Sequence, residues 1–568
     1  MFKKGKWLLV LLALVGAVAL LAACAAPTEE VASGVATPVP KRGTPSPDET
    51  PVPGGIYRLS YTSDWSYWSP LMGIAIAGSY NRISAPLLQY NFGPGAERWS
   101  FDISSNSLAE SWEISADGLT YTFHLHKGMK WQNIPPMNGR EFVADDVKWS
   151  LGQHMTTAGA PRREMLNASI KSIECPDKYT VVIQMKVGDA DFLQLLASTF
   201  VPMLPREAAE EFGTLNKREA IIGVGPFILD EYVPNVRYVY KKNPTYYRAN
   251  EGLPYLDGIY YTNIADASTS LAAFRSEKID WRSISRVDVS SVLETNPDVY
   301  CYEGDPLLSG GSVIVFRTDK LPFSDVNLRR AVSMAIDRQA YIDSQLLGYG
   351  LLQVGPIHAA TPWYLGNPVK DPAAWGECLK YEQYNPEEAR RLIAEAGYPG
   401  GLTVTLHHSS GSETAELVND FLTKAGFKVV MAPLESTAFY SRLYSKHDYD
   451  ELGVLTKWGG GTIGPNTWLG QFYLKGYASN YSNVDDPVMK TMIEAQAGEM
   501  DPVKRQQLLN DIQRYEICQK YYVHLPQSWY LGCMQPWVRG YWRHAADSHS
   551  GRIEEHIWLT EDAPGRKK

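Results

Sequence analysis

The chain has 568 residues, 44% hydrophobic and 12% aromatic, enough to bury a sizeable core and too long for one ordinary domain, so two or three domains are expected. Its formal charge of −9, about −12 without a leader carrying three lysines, argues against nucleic acid as a partner. The 34 tyrosines and 16 tryptophans suit sites where a ring has an apolar face and a wet edge, as in a groove for sugars or peptides.

Lys3, Lys4 and Lys6 form a basic head, followed by an apolar run from Trp7 to Ala23 and then Cys24. Leu21-Ala22-Ala23-Cys24 resembles a bacterial lipoprotein signal. The resemblance implies cleavage of residues 1–23, lipidation of the Cys24 thiol, and a body held at the outer face of the cytoplasmic membrane. The alternative is an uncleaved transmembrane anchor, because 17 apolar residues approach spanning length. Residues 24–53 contain seven prolines and no aromatic residue, cannot bury a core, and read as a tether. One lipid chain holds a protein only marginally, so the several chains of a lipoprotein cysteine would keep the body at the surface.

Gly54-Gly55 opens the globular part, and Ile56 to Thr62 alternates as a strand ending near Trp65, Tyr67 and Trp68. These rings are either core or one wall of a ligand cleft. Trp112 to His126 reads as a hairpin turning at Ala116-Asp117-Gly118, with Tyr121, Phe123 and Leu125 on one face. His124 and His126 share the other face; they have metal-ligand spacing, but no third ligand is near in sequence, so a solvated strand face is the simpler reading. Asp145-Asp146 reads as the cap of a helix over Val147 to His154.

Several segments then match one family in order and spacing. They are Leu108 to Trp112, Asp117 to Phe123, Lys127-Gly128-Met129-Lys130-Trp131, Phe142 to Val147, Gly223-Val224-Gly225-Pro226-Phe227, Asn243 to Arg248 and Pro254 to Ile259. Later matches are Phe323 with Arg329-Arg330-Ala331, Ala335 to Arg338, and Glu395 to Gly401. From about residue 54 to 545 the chain resembles the peptide/nickel/opine solute-binding proteins of ABC importers, the oligopeptide- and dipeptide-binding protein family. The resemblance implies an α/β fold of two lobes and a hinge, periplasmic-binding-protein-like, of type II and the large cluster with an extra subdomain in lobe one. It places lobe one at 54–310 with the subdomain at about 85–220, lobe two at 311–520, and a return to lobe one with a C-terminal tail at 521–568. It further implies a monomer that binds a small solute, needs no cofactor, and docks on membrane permease subunits.

The second lobe is legible from its own pattern. Val326, Ala331, Val332, Ala335 and Ile336 share a helical face, with Ser324 or Asp325 as cap and Gly348 closing the segment. Asn385-Pro386-Glu387-Glu388 is a helix start, and that helix stops at Gly397. Strands at 402–407, 427–434 and 450–457 alternate with helices at 413–425 and 436–446, which implies a largely parallel sheet with covering helices.

Trp458-Gly459-Gly460-Gly461-Thr462-Ile463-Gly464-Pro465-Asn466-Thr467-Trp468 follows the last of these strands. It lies where open α/β sheets place their ligand crevices, and its glycines let backbone approach a ligand closely. Trp458, Gly459, Gly460, Gly461, Thr462, Asn466 and Trp468 are the expected ligand contacts, with Trp65 and Trp68 opposite. The loop also matches G-x-G-x-x-G, with Asp485 and Asp486 downstream, but Pro465 follows at once and an exported protein has little nicotinamide to bind. His407-His408 reads as a polar strand end or a site edge. There is no G-x-S-x-G, H-E-x-x-H or P-loop. Five cysteines besides Cys24 leave at least one unpaired; the pairing is open, and Cys518 with Cys533 would close the shortest loop.

Peptide-binding members of the family carry a tryptophan followed by Gly-Ala-Asp-Tyr-Pro-Asp-Pro, the first aspartate meeting the ligand's α-amino group. Here Gly461 stands at that aspartate and Gly464 at the second. Loss of a buried ammonium's partner costs about 3–5 kcal/mol. The loop with its tryptophans therefore favours an uncharged, hydroxyl-rich solute such as an oligosaccharide. The alternatives are a peptide anchored by another carboxylate, an opine or chelate, and, from other classes, a secreted hydrolase or an adhesion lipoprotein.

Overall fold

The computed structural model describes residues 49–73, 79–91, 101–303, 311–359, 361–458, 464–477, 479–529, 531–541, 553–564 and 566, with only the backbone at 436 and 456–458. The leader, most of the tether, and Cys24 lie outside the described residues. Among the described residues no helix is long and apolar enough to cross a membrane.

Among the described residues lobe one holds three sheets of three or more strands and a two-stranded ladder of Val538–Arg539 with Trp558–Leu559. In the first, Ile56–Tyr61 pairs in parallel with Gly258–Asn263, which continues antiparallel through Arg237–Lys242 to Phe227–Val233. The second is antiparallel, in the order Ala109–Ile114, Thr120–Leu125, Thr180–Met185, Ile170–Asp177. Its first two strands are the expected hairpin, with Gly118 at φ 69° in the turn and its N–H donating to the Ser115 carbonyl. Tyr121, Phe123 and Leu125 point into the core, while His124 and His126 stand outside beside Glu113 and Glu110. The helix Ala144–Thr156 begins earlier than the expected Val147. Asp146 accepts the Val143 N–H at 2.9 Å and is itself held by Arg140 and Trp131, so the cap reaches back to Val143.

The segment Gly223 to Phe227 runs against the backbone near Ile83: Gly225 N–H donates to Ile83 O (2.7 Å) and Phe227 N–H to Arg82 O (2.9 Å). A Cβ at either Gly223 or Gly225 would overlap Ile83. The third sheet joins Trp281–Ser283, Leu531–Met534 and Tyr300–Glu303 antiparallel, with Cys301 opposite Cys533 in register and disulfide-bonded to it.

Lobe two is built on a five-stranded sheet in the order Lys428–Leu434, Thr403–Ser409, Leu452–Trp458, Gly311–Phe316, Tyr522–His524. Its first three strands are parallel, as expected, but Gly311–Phe316 runs antiparallel to both neighbours. Antiparallel neighbours need no right-handed crossover, so the handed βαβ connection that makes such sheets parallel does not constrain this strand. Val313, Ile314, Val315 and Phe316 are all fully buried, and each contributes about 1.5–3 kcal/mol.

The helix starts follow their capping residues. Asn385 Oδ1 accepts the Glu388 N–H at 3.0 Å ahead of Pro386–Glu395, and the chain turns at Gly397 with φ 98°. The segment expected as one helix up to Gly348 is two, Val326–Ala335 and Arg338–Gln345, because Asp337 caps a second start. The segment 436–446 holds a short α-helix, Ser436–Phe439, that passes into a π-helix, Tyr440–Ser445.

Cys518 pairs with Cys378, so the Cys518–Cys533 bridge does not form; the sheet register that faces Cys533 with Cys301 decides the matter over loop length. Among the described residues Cys175 is the free cysteine. Tyr522–His524 still pairs in lobe two, so the chain rejoins lobe one's sheets at Leu531–Met534, somewhat beyond residue 520.

Candidate ligand cleft between the lobes

The strand Leu452–Trp458 ends at the loop 459–463, and the helix Pro465–Tyr473 begins behind it with Gly464 as cap residue and Pro465 in its first turn. Gly459, Gly460, Gly461 and Thr462 lie outside the described residues, and so does the side chain of Trp458. Facing the start of this helix from lobe one are the segment 188–191 and the helix Arg163–Ser169.

Here the lobes are joined by a buried polar network. Asn466 N–H donates to Asp191 Oδ2 at 2.6 Å, and Asn466 Nδ2 donates to Asp189 Oδ1 at 2.7 Å. On the lobe-two side Gln496 Nε2 (2.8 Å) and Arg505 Nη2 (3.0 Å) both donate to Asn466 Oδ1. Arg505 Nη1 lies 2.7 Å from Asp191 Oδ1, an ion pair without hydrogen-bond alignment at that oxygen. Ser169 Oγ donates to Asp189 Oδ2 at 2.7 Å, and Ala190 N–H donates to Ala497 O at 2.9 Å. Asp191 is 2% exposed and Arg505 8%, so each depends on the other: breaking a buried pair leaves an uncompensated charge. Burial, reinforced by the Asp191 charge, pushes the Asp189 carboxyl above its usual range.

The same surfaces border a crevice of about 220 Å³ that includes Met165, Ser169, Asp189, Asn466, Thr467 and Tyr477. Ligand pockets usually run to about 300–1,000 Å³, so this crevice is an edge of a cleft rather than a whole site.

Of the expected contacts, Asn466 stands at the centre of the network, but as a bridge between lobes. Trp468 is 7% exposed, its indole N–H turned to the Pro356 carbonyl and its ring edge-on to Phe472, in the core of lobe two. Trp65 stacks on Tyr238 with centroids 4.7 Å apart, and Trp68 meets Trp65 and Tyr232 edge-on. Both tryptophans thus pack on tyrosines of their own lobe. Asp64 beside them is held low by hydroxyl donors from Tyr232, Tyr61 and Tyr238 and by the Asn235 N–H, against the opposing effect of burial.

His407 and His408 are buried at 4% and 3%, so the strand end that reads as polar is interior, and burial lowers the His407 pKa. Among the described residues no group of three or more His, Cys, Asp or Glu could hold a metal ion. The residues the sequence did not single out are Asp189, Asp191, Gln496 and Arg505. Gly188-Asp189-Ala190-Asp191 reads only as the approach to a short helix, and Arg505 as one cation on an amphipathic one.

Two lobes built on separate sheets and meeting at a buried polar network are the architecture of a two-lobed binding protein. Residues 105–480 match the model of the bacterial extracellular solute-binding proteins, family 5 (middle region), and the chain belongs to that family. It is similar to heme-binding protein A of Haemophilus influenzae, 31% identical over 343 residues, or 57% of this chain and 58% of that protein. It is also similar to di/tripeptide-binding protein 1 of Pseudomonas aeruginosa, 28% identical over 394 residues, or 64% of this chain and 69% of that one. The chain thus spans less than two thirds of the first relative's length. Among solved structures, an ABC transporter-associated periplasmic binding protein of Helicobacter pylori in complex with the peptide STSA shares the fold. Its TM-score is 0.74 at 24% identity, over 89% of this chain and 98% of that one.

Proposed function

We propose that this chain captures a short peptide between its lobes and delivers it to the permease of an ABC importer. The observation that carries the reading is the interlobe network of Asp189, Asp191, Asn466, Gln496 and Arg505, which gives the closed form its own buried contacts beside the crevice. A receptor that must close on a solute and reopen needs such a closure-specific surface.

Support for a peptide over an oligosaccharide comes from two sides. The ring of Trp468 is taken up in lobe-two packing, and those of Trp65 and Trp68 in lobe-one packing, which weakens the stacking platform that a sugar requires. The relatives include one named for di- and tripeptides, and the similar fold from Helicobacter pylori holds a peptide. The lipoprotein reading of Cys24 and the tether 24–53 belongs to the same proposal, as does a monomeric state. Anchoring keeps the receptor near its permease.

Titration calorimetry on the soluble body from residue 25 onward, against di- to tetrapeptides, xylo-oligosaccharides and heme, tests the ligand. Saturable peptide binding, with a rise in melting temperature set by mass action, is expected. Sugar binding without peptide binding would reverse the assignment. Loss of fatty-acid labelling in Cys24→Ala cells tests the anchor.

A further inference from the structure

The network between the lobes holds more negative charge than positive. Asp189 and Asp191 enter it from lobe one, and Arg505 of lobe two is the one cation among its described members; Ser169, Asn466 and Gln496 are neutral. Arg505 is committed elsewhere than Asp189. Its Nη1 lies 2.7 Å from Asp191 Oδ1, and its Nε and Nη2 donate to Gln496 Oε1 and Asn466 Oδ1. The Asp189 carboxylate is left with neutral partners: Oδ1 accepts the Asn466 side-chain amide (2.7 Å) and the Asp191 N–H (3.1 Å), and Oδ2 accepts the Ser169 hydroxyl (2.7 Å).

The other titratable groups around Asp189 supply no free positive charge. The Tyr121 hydroxyl, from the strand Thr120–Leu125, donates to its backbone carbonyl at 3.4 Å, and Tyr477 of lobe two lines the same crevice. Glu494 of the helix Pro487–Ala497 also borders the crevice and is paired with Lys490, while Glu164 of the helix Arg163–Ser169 is paired with Arg163.

We infer that closing the lobes takes up a proton, held between Asp189 and Ser169. Asn466 and the segment at Ala497 cover Asp189 from lobe two, so a carboxylate that water can solvate in an open form is enclosed beside a second one. The acid form fits the same contacts. With the proton on Oδ2, the Ser169 hydroxyl turns from donor to acceptor, its own hydrogen facing the crevice it borders, and Oδ1 keeps both of its donors. Burial and the Asp191 charge both raise the Asp189 pKa, the direction that uptake requires. Closure is therefore weakest at high pH, where the ionised acid must be enclosed, and strengthens as pH falls toward the ordinary carboxylate range. The inference rests on the reading that this network forms as the lobes close, and not on the identity of the ligand.

The test compares wild type with Asp189→Asn, whose amide nitrogen donates to Ser169 as the protonated acid would. Calorimetry with trialanine in two buffers of different ionisation enthalpy counts protons, and affinities are taken from pH 5 to 7. Wild type should take up a measurable fraction of a proton and bind about threefold or more tighter at pH 5 than at pH 7. D189N should take up less, and at pH 7 should bind about as tightly as wild type does at pH 5. Equal uptake and equal pH slopes in the two proteins would overturn the inference, and so would no uptake by wild type, a result that needs no variant to fold. If trialanine binds neither protein, the peptide reading fails by itself, and X-ray scattering of the ligand-free proteins decides. The radius of gyration of wild type should then shrink between pH 7 and pH 5 and that of D189N should not; parallel radii would overturn the inference. A network that does not form on closure shows separately, as unchanged compaction in Gly464→Ala.

Discussion

Gly464 and Asp191 are fitted to one another across the lobes: a Cβ on Gly464 would fall within the Asp191 carboxylate. The acid that peptide-binding members of the family carry on this loop is thus absent from position 464, and a carboxylate from the opposite lobe occupies the space. Gly464→Ala forces apart two surfaces that touch only when the lobes are together. We expect the overpacking, about 1–3 kcal/mol, to fall on closure alone and ligand affinity to drop by about tenfold or more. Calorimetry together with the radius of gyration in X-ray scattering checks this; unchanged affinity and compaction would show that this contact does not form on closure.

Asp191→Asn removes the charge that faces Arg505. In the closed form Arg505 is then buried without its counterion, whereas in an open form it can be solvated, so the cost appears as weaker closure more than as unfolding. Affinity should fall by about 30-fold or more, some 2 kcal/mol, with the urea midpoint moving much less. Arg505→Met combined with Asp191→Asn should be far from additive in a double-mutant cycle, and additivity would contradict a direct pair.

Gly225→Ala bears on folding. Its Cβ would lie 2.7 Å from the Ile83 carbonyl carbon and 2.9 Å from Arg82 O, backbone atoms that cannot yield. We expect a loss of about 3 kcal/mol or more, visible as an earlier melt with or without ligand. A melt within a degree of wild type would disprove the close approach.

Two buried groups give opposite pH dependences. His154 is fully buried, and burial lowers its pKa to about 4 against the raising influence of the Pro202 carbonyl. The unfolded chain takes up a proton near pH 6.5 that the folded one refuses, so stability falls as pH drops from 6.5 to 4, by about 3 kcal/mol. Glu516 is raised to about 7, chiefly by burial and against the attraction of Lys520. The unfolded chain ionises first, so this residue's contribution is present below about pH 4.5 and lost as pH rises toward 7. Urea midpoints from pH 4 to 8 should lose part of their acid-side slope in His154→Gln, since burial lowers His358 and His524 as well, and part of their alkaline-side decline in Glu516→Gln; slopes identical to wild type would refute both assignments.

Local signals were legible and long-range ones were not. The hairpin through Tyr121, Phe123 and Leu125 and the Asn385 helix start depend on neighbours within a few residues, and both could be read directly. The family motifs gave the family and pointed to a cleft at the loop after Trp458, which lies outside the described residues. The partners that close it could not be read, because Asp189 and Asp191 meet Asn466 and Arg505 only through packing of distant segments. His407 and His408 look polar in sequence, but their strand lies inside the sheet between Lys428–Leu434 and Leu452–Trp458. Trp468 promised a ligand ring for a similar reason: an aromatic after a glycine loop suits either a cleft or the first turn of a buried helix, and here its indole faces Pro356 and Phe472.

Neither disulfide spans the lobes. Cys378–Cys518 lies wholly in the second, while Cys301–Cys533 joins the strand that precedes the outgoing crossing to the strand that follows the returning one. The two crossings are therefore riveted together at their lobe-one end. The strands Tyr300–Glu303 and Leu531–Met534 thus enter any swing that brings Arg505 to Asp191 as one covalently closed unit.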